Sequence, residues 1–178
     1  MSFLTNIENS LLMFYNNHFD NVPMIPDYDN GPEPVGDYGV VGITVLNQLN
    51  KGSRSTSSKG TGSLEESFKQ DFRALVTITF YGDSCYDNAF EAQSIIKMSE
   101  ALDKLYNENC LSIVDSTDVR RIPELRDTKY IQRATFDLTI LTAYENLSDI
   151  DWFNIVGYQA NYPDAGIQYN EYVPNQPT

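Results

Sequence analysis

Gly82-Asp83-Ser84 has the makings of the block that opens a serine hydrolase's catalytic turn, and Cys85 follows it directly, so nucleophilic chemistry is the first to weigh. A serine or thiol nucleophile needs a base within hydrogen-bond reach. The chain has one histidine, His18, in an unrelated segment expected to be exposed. The Gly-Asp-Ser cluster serves equally as a turn and helix start, with Ser84 or Asp87 accepting the free amides of a first helical turn. Capping is the expectation here, and a Ser84-dependent hydrolase stays as an alternative.

Three acidic pairs, Asp27 with Asp29, Asp115 with Asp118 and Asp149 with Asp151, have the oxygens for a hard cation. None has the ligand density or terminal glutamate of a calcium loop, and turn formation explains them. Ser58-Lys59-Gly60-Thr61-Gly62-Ser63 has phosphate-loop composition, yet the G-x-x-x-x-G-K-[ST] order is missing and a strand is expected to follow. Arg120, Arg121 and Arg126 form a local basic patch that either meets an acidic neighbouring subunit or pairs with Glu124 and Asp127. No residue is assigned a catalytic, cofactor-binding or metal-binding role. The chain is not expected to be an enzyme.

Bulk properties narrow the classes further. A chain of 178 residues is the size of one domain with appendages. Its 25 acidic and 12 basic side chains give a formal net charge of -13, which disfavours binding by phosphate neutralisation and suits a surface that DNA slides past. Cys85 and Cys110 lack C-x-x-C spacing, so neither a disulfide framework nor a zinc site is indicated, and both are expected as buried thiols. No signal peptide or membrane span is expected, and synthesis and folding are placed in a cytoplasm. The 12 tyrosines favour interfaces, because tyrosine offers large contact area at low rotamer cost.

The elements that must position these residues follow from periodicity. Phe3-Leu4, Ile7, Leu11-Leu12 and Phe14-Tyr15 fall at helical spacing and predict a helix over 3–16, with Thr5 and Glu8 a capping box or part of an earlier-starting helix. Four prolines between residues 17 and 37 argue against a regular element there. Strands are expected at 39–47, 73–81 and 131–143. In the second, Ala74, Val76, Ile78 and Phe80 share one face and Leu75, Thr77, Thr79 and Tyr81 the other. In the third, Ala134, Phe136, Leu138 and Ile140 face opposite to Thr135, Asp137, Thr139 and Leu141. A single helix near 87–107, with Ala89, Ala92, Ile96, Ser99, Leu102 and Tyr106 inward, returns onto the sheet. A short strand is expected at 110–114 and a further one within 145–160. The fold class is therefore α+β, a mostly antiparallel sheet with an amphipathic helix on one face. Residues 50–63, polar and rich in Ser and Gly, read as a flexible hairpin loop, and 157–178 as an extended C-terminal tail outside a domain of 1–156.

Three stretches, VTITFYGDSCYDNA at 76–89, DVRRIPEL at 118–125 and YIQRATFDL at 130–138, together resemble the neck or tail terminator proteins of tailed bacteriophages. The resemblance covers about residues 1–156 in element order, and its motifs are structural. It implies a tail-terminator-like α+β virion subunit that assembles with itself, usually as a hexameric ring. The ring caps the tail end and joins it to head-completion or connector proteins and to the tail, with DNA passing through the lumen. The 50–63 loop and the Tyr/Pro/Asn-rich tail depart from the family pattern. A small binding adaptor of another multi-subunit assembly is the second alternative.

Overall fold

The computed structural model describes residues 3–27, 31–60, 63–126, 128–150, 155–162 and 167–174. In chain order the elements are α1 (Phe3–Asn16), β1 (Met24–Pro26), β2 (Tyr38–Gln48), β3 (Ser53–Gly60), β4 (Ser63–Tyr81), α2 (Cys85–Ile95) and α3 (Ser99–Asn109). They continue with β5 (Leu111–Ser116), β6 (Arg120–Arg121), β7 (Glu124–Arg126), β8 (Lys129–Ile131), β9 (Arg133–Ile150), β10 (Ile155–Tyr162) and β11 (Ile167–Pro174). A seven-stranded sheet runs β1-β2-β4-β9-β5, with β3 also on β4 and β6 also on β9. The pairs β7-β8 and β10-β11 form two further antiparallel two-stranded sheets. The chain divides into two compact units, residues 1–51 with 70–144 and residues 52–69 with 145–178. β4 and β9 each run from one unit into the other.

Period-two burial builds the first unit. Ala74, Val76, Ile78 and Phe80 of β4 and Ala134, Phe136, Leu138 and Ile140 of β9 all bury completely, joined by Val41 of β2. Thr77 meets Asp137 and Thr79 meets Thr135, so β4 and β9 run in opposite directions. β2 pairs antiparallel with β4, Tyr38 opposite Tyr81 and Val41 opposite Ile78, with a bulge between Ile43 and Val45. Of the apolar residues expected along α1, Ile7, Leu11, Leu12 and Tyr15 are buried over this core, Phe3 and Phe14 are partly buried against it, and Leu4 is exposed. The expected strands and their facing are therefore found.

Four expectations change. Residues 17–37 are not free of regular structure, because β1 pairs parallel with β2 at an edge, where Pro26 costs no ladder bond. The Asn16 side chain secures it, accepting the Met24 amide at 2.9 Å and donating to the Met24 carbonyl at 3.2 Å. The single helix near 87–107 is two helices. Met98, at φ -72 and ψ 141, is extended and resets the helical phase. Upstream, Ala89, Ala92 and Ile96 are buried as expected, but downstream Ala101 and Leu105 replace Ser99 and Leu102, and Tyr106 is 61% exposed. The 50–63 stretch is not an open loop, since β3 pairs with β4 from Ser53 opposite Lys69 to Ser58 opposite Leu64. The C-terminal segment holds the β10-β11 hairpin. Trp152 and Phe153 lie outside the described residues.

Gly82 makes the exit from β4. Its φ of 106 lies in the region that L side chains avoid, and a Cβ there would collide with Asp37. The amide of Gly82 donates to the Gln132 carbonyl at 3.2 Å, and the Cys85 amide donates to the Gly82 carbonyl at 3.3 Å. At the other end of the helical pair Cys110 takes φ 54 as the left-handed C-cap of α3. A glycine suits that position better.

Ile96→Ala and Leu105→Ala should each lower stability by about 2–5 kcal/mol, because both side chains are buried, whereas Tyr106→Ala should change it by less than about 1 kcal/mol. Denaturant midpoints check the ranking, and equal shifts would put the phase reset in the wrong place. Cys110→Gly should raise stability by roughly 0.5–1 kcal/mol by relieving the left-handed backbone, and a lower midpoint would contradict that reading.

Candidate assembly surfaces

The sequence-derived nucleophiles do not converge on a relay. Ser84 is the exposed N-cap residue of α2, yet its side chain makes no capping bond, while its carbonyl accepts the Asn88 amide at 3.0 Å. His18 lies beyond α1 with Nε2 3.7 Å from Glu91 Oε1, and no described hydrogen bond joins it to Ser84 or Cys85. Cys85 is buried, and burial pushes its thiol pKa up while the Arg121 guanidinium pulls it down more weakly. A buried thiol with a raised pKa is a poor nucleophile. Cys110, expected to be buried, is exposed because it caps a helix end.

Among the described residues no group of three or more His, Cys, Asp or Glu is arranged to hold a metal ion. Asp115, expected in a turn, lies within β5 opposite Thr139, and its Oδ1 accepts the Ser116 amide at 2.8 Å. Asp29 and Asp151 lie outside the described residues. The Ser58–Ser63 stretch leads from one strand into the next, without the helix N-terminus that a phosphate loop uses. Among the described residues no helix is long and apolar enough to cross a membrane.

Of the basic patch, Arg120 forms an ion pair with Asp137 across β6 and β9, and Arg121 Nη2 donates to Gln132 Oε1 at 2.8 Å. Glu124 accepts from Arg133 at 3.1 Å. The arginines at 120 and 121 are thus engaged within the subunit. The side chain of Arg126, and all of Asp127, lie outside the described residues.

What the fold does build is a hydrogen-bonded outer face on the sheet of the first unit. Thr77 donates to Asp137 Oδ1 at 2.7 Å, so Thr44, 2.7 Å from Thr77, must donate in turn, since a hydroxyl has one proton. Thr79 donates to Thr135 at 3.1 Å, and Thr135 donates to the Ile78 carbonyl at 3.1 Å. The Tyr38 and Tyr81 rings stack at 4.9 Å beside this row. A shallow depression of about 260 Å³, lined by Val45, Arg73, Leu75 and Thr139 among others, opens on it. The alternation of Thr and Asp on the odd positions of β4 and β9 foreshadowed this face, but its pairing partners belong to strands far apart in sequence.

The second unit is built differently. Arg54 lies 3.9 Å from Glu66, and Lys69 Nζ lies 3.1 Å from Glu145 Oε1, which also accepts from Ser67 at 2.8 Å. These contacts hold the Glu145 carboxyl below its usual pKa, the Ser67 bond being the largest cause. That contribution is present at and above the ordinary carboxylate range and is lost as pH falls through the depressed value. Among the described side chains of this unit none is buried. Ionic and backbone bonds, rather than an apolar core, join its described strands.

Among the described residues the first unit sets helices over one face of its sheet and a hydrogen-bonded polar face opposite. The family model of the phage neck terminator protein matches residues 4–164, and the chain belongs to that family. It is a structural protein of the phage neck, located in the virion, that binds other neck or tail proteins, and the family is not known as enzymatic. No curated protein matches the chain.

Asp137→Ala should cost about 1–3 kcal/mol, because it strips Thr77 and Arg120 of a shared acceptor. Arg120→Ala, at a half-exposed ion pair, should cost no more than about 1 kcal/mol. A denaturant series in which the two rank the other way would show that the network does not centre on Asp137.

Proposed function

We propose that the chain works as a ring-forming neck terminator, hexameric, which caps the end of the phage tail and joins it to the head connector while DNA passes through the ring. The family match over residues 4–164 carries the reading. The formal net charge of -13 supports it, since a lumen of that sign lets a polyanion move without phosphate contacts. So does the exposure of the second unit, where no described side chain is fully buried in the isolated chain and contact with a neighbour covers further surface. A head-to-tail contact repeated by rotation closes into a ring.

Mass measurement of the purified protein and electron microscopy of intact particles test the reading. The expected result is a closed ring of six copies at the junction of head and tail. A monomer in both settings overturns it.

Deletion of residues 52–61 removes β3 and leaves the core of the first unit untouched. The variant should melt as the parent does but give particles with detached or unfinished tails. Normal joining of heads to tails by this variant would make β3 dispensable for assembly.

A further inference from the structure

β3, the 63–69 part of β4 and the 145–150 part of β9 form a ribbon in the second unit, tied crosswise by Arg54 with Glu66 and by Lys69 and Ser67 with Glu145. Both of its margins are strand edges. β3 pairs with β4 alone, and the pairing of β9 with β5 ends at Thr142, so among the described residues no strand continues the sheet beyond either margin. An eight-residue edge without proline is a template for another strand, and soluble proteins usually shorten, bend or cover one.

The two margins differ in charge. β3 (SRSTSSKG) carries Arg54 and Lys59 and no acid, while residues 145–150 (ENLSDI) carry Glu145 and Asp149 and no base. Two β3 edges repel one another, as do two 145–150 edges, whereas the unlike edges attract. Direction is compatible as well. β3 is antiparallel to β4, and β4 to β9, so β3 and β9 run the same way, and a rotated copy presents its β3 in parallel to β9.

We infer that the β3 edge of one subunit pairs with the 145–150 edge of β9 in the next copy of this chain, continuing the sheet across the subunit boundary. The inference rests on the ring reading and names the surface that makes the ring. The contact is heterologous, with different patches on its two sides, so rotation propagates it until it closes. Main-chain hydrogen bonds supply its affinity, and the unlike charges set its partner and sense. It also accounts for side chains such as Leu147, 54% exposed in the isolated chain.

Disulfide trapping tests the inference in a Cys110→Ser background, which removes the exposed native thiol. Thr56→Cys is combined in turn with Asn146→Cys and Ser148→Cys, which lie on the same face of the ribbon as Thr56, and the purified protein and particles are oxidised and run without reductant. Within one chain the two margins are separated by β4, about two strand spacings or roughly 10 Å, beyond the ~7 Å that a disulfide spans. An intrachain bond is therefore excluded by distance. The expected result is a ladder of covalent multimers from a double variant and none from either single variant. A ring in the mass measurement with no ladder from any combination overturns this inference and leaves the ring reading standing. Dimers from a single variant also overturn it, because like edges would then be meeting. A monomer in solution and in particles overturns the ring reading and this inference together.

Discussion

Two antiparallel strands in the same phase set the terms for the rest of the molecule. Ala74, Val76, Ile78 and Phe80 of β4 and Ala134, Phe136, Leu138 and Ile140 of β9 leave water on one side of the sheet. A slip of one residue in either strand would turn its whole apolar row to the opposite face, so register and burial are a single constraint. The helices answer it by covering that face with Ile7, Leu11, Tyr15, Ile96 and Leu105. The left-handed turn at Gly82 is what lets the chain leave β4 and return over its own sheet within three residues.

Tight coverage carries a local cost. The Tyr15 hydroxyl is buried without a hydrogen-bond partner among the described residues, and burial raises its pKa far above the ordinary phenol value. Its ring is held instead by Phe14 and Phe19, at centroid distances of 5.3 and 6.4 Å. The aromatic area fills the junction of helix and sheet, and the unmet hydroxyl is tolerated beside that gain. On the opposite face the reverse solution holds, where threonines and Asp137 satisfy one another and Arg120 closes the row. One sheet thus has an apolar side that folds the subunit and a polar side whose groups are already matched.

For a structural neck protein this division is economical in mechanism. The buried apolar core lies in the first unit, while ionic and backbone bonds join the described strands of the second. The acidic excess, a formal net charge of -13, sets up long-range repulsion between free copies.

Local pattern determined a good deal. The alternation of β4 and β9, the stripe of α1, the turn at Gly82-Asp83-Ser84 and the family-like blocks around them were all legible because each is a short-range consequence of side-chain type and spacing. Composition misled where pairing decides structure. Ser53 to Gly60 is polar enough to read as a loop, yet it is a strand because β4 offers it a partner, and β1 exists despite Pro26 because β2 and the Asn16 amide complete its bonds. Helix phase was equally out of reach past Met98, since one extended residue turns the next helix about its axis and exchanges Leu102 and Tyr106 for Ala101 and Leu105. The Asp137 network and the engagement of Arg120 and Arg121 depend on residues 11 to 60 positions apart. Periodicity reports which face a residue occupies, but only the tertiary pairing of strands decides which residues meet across it.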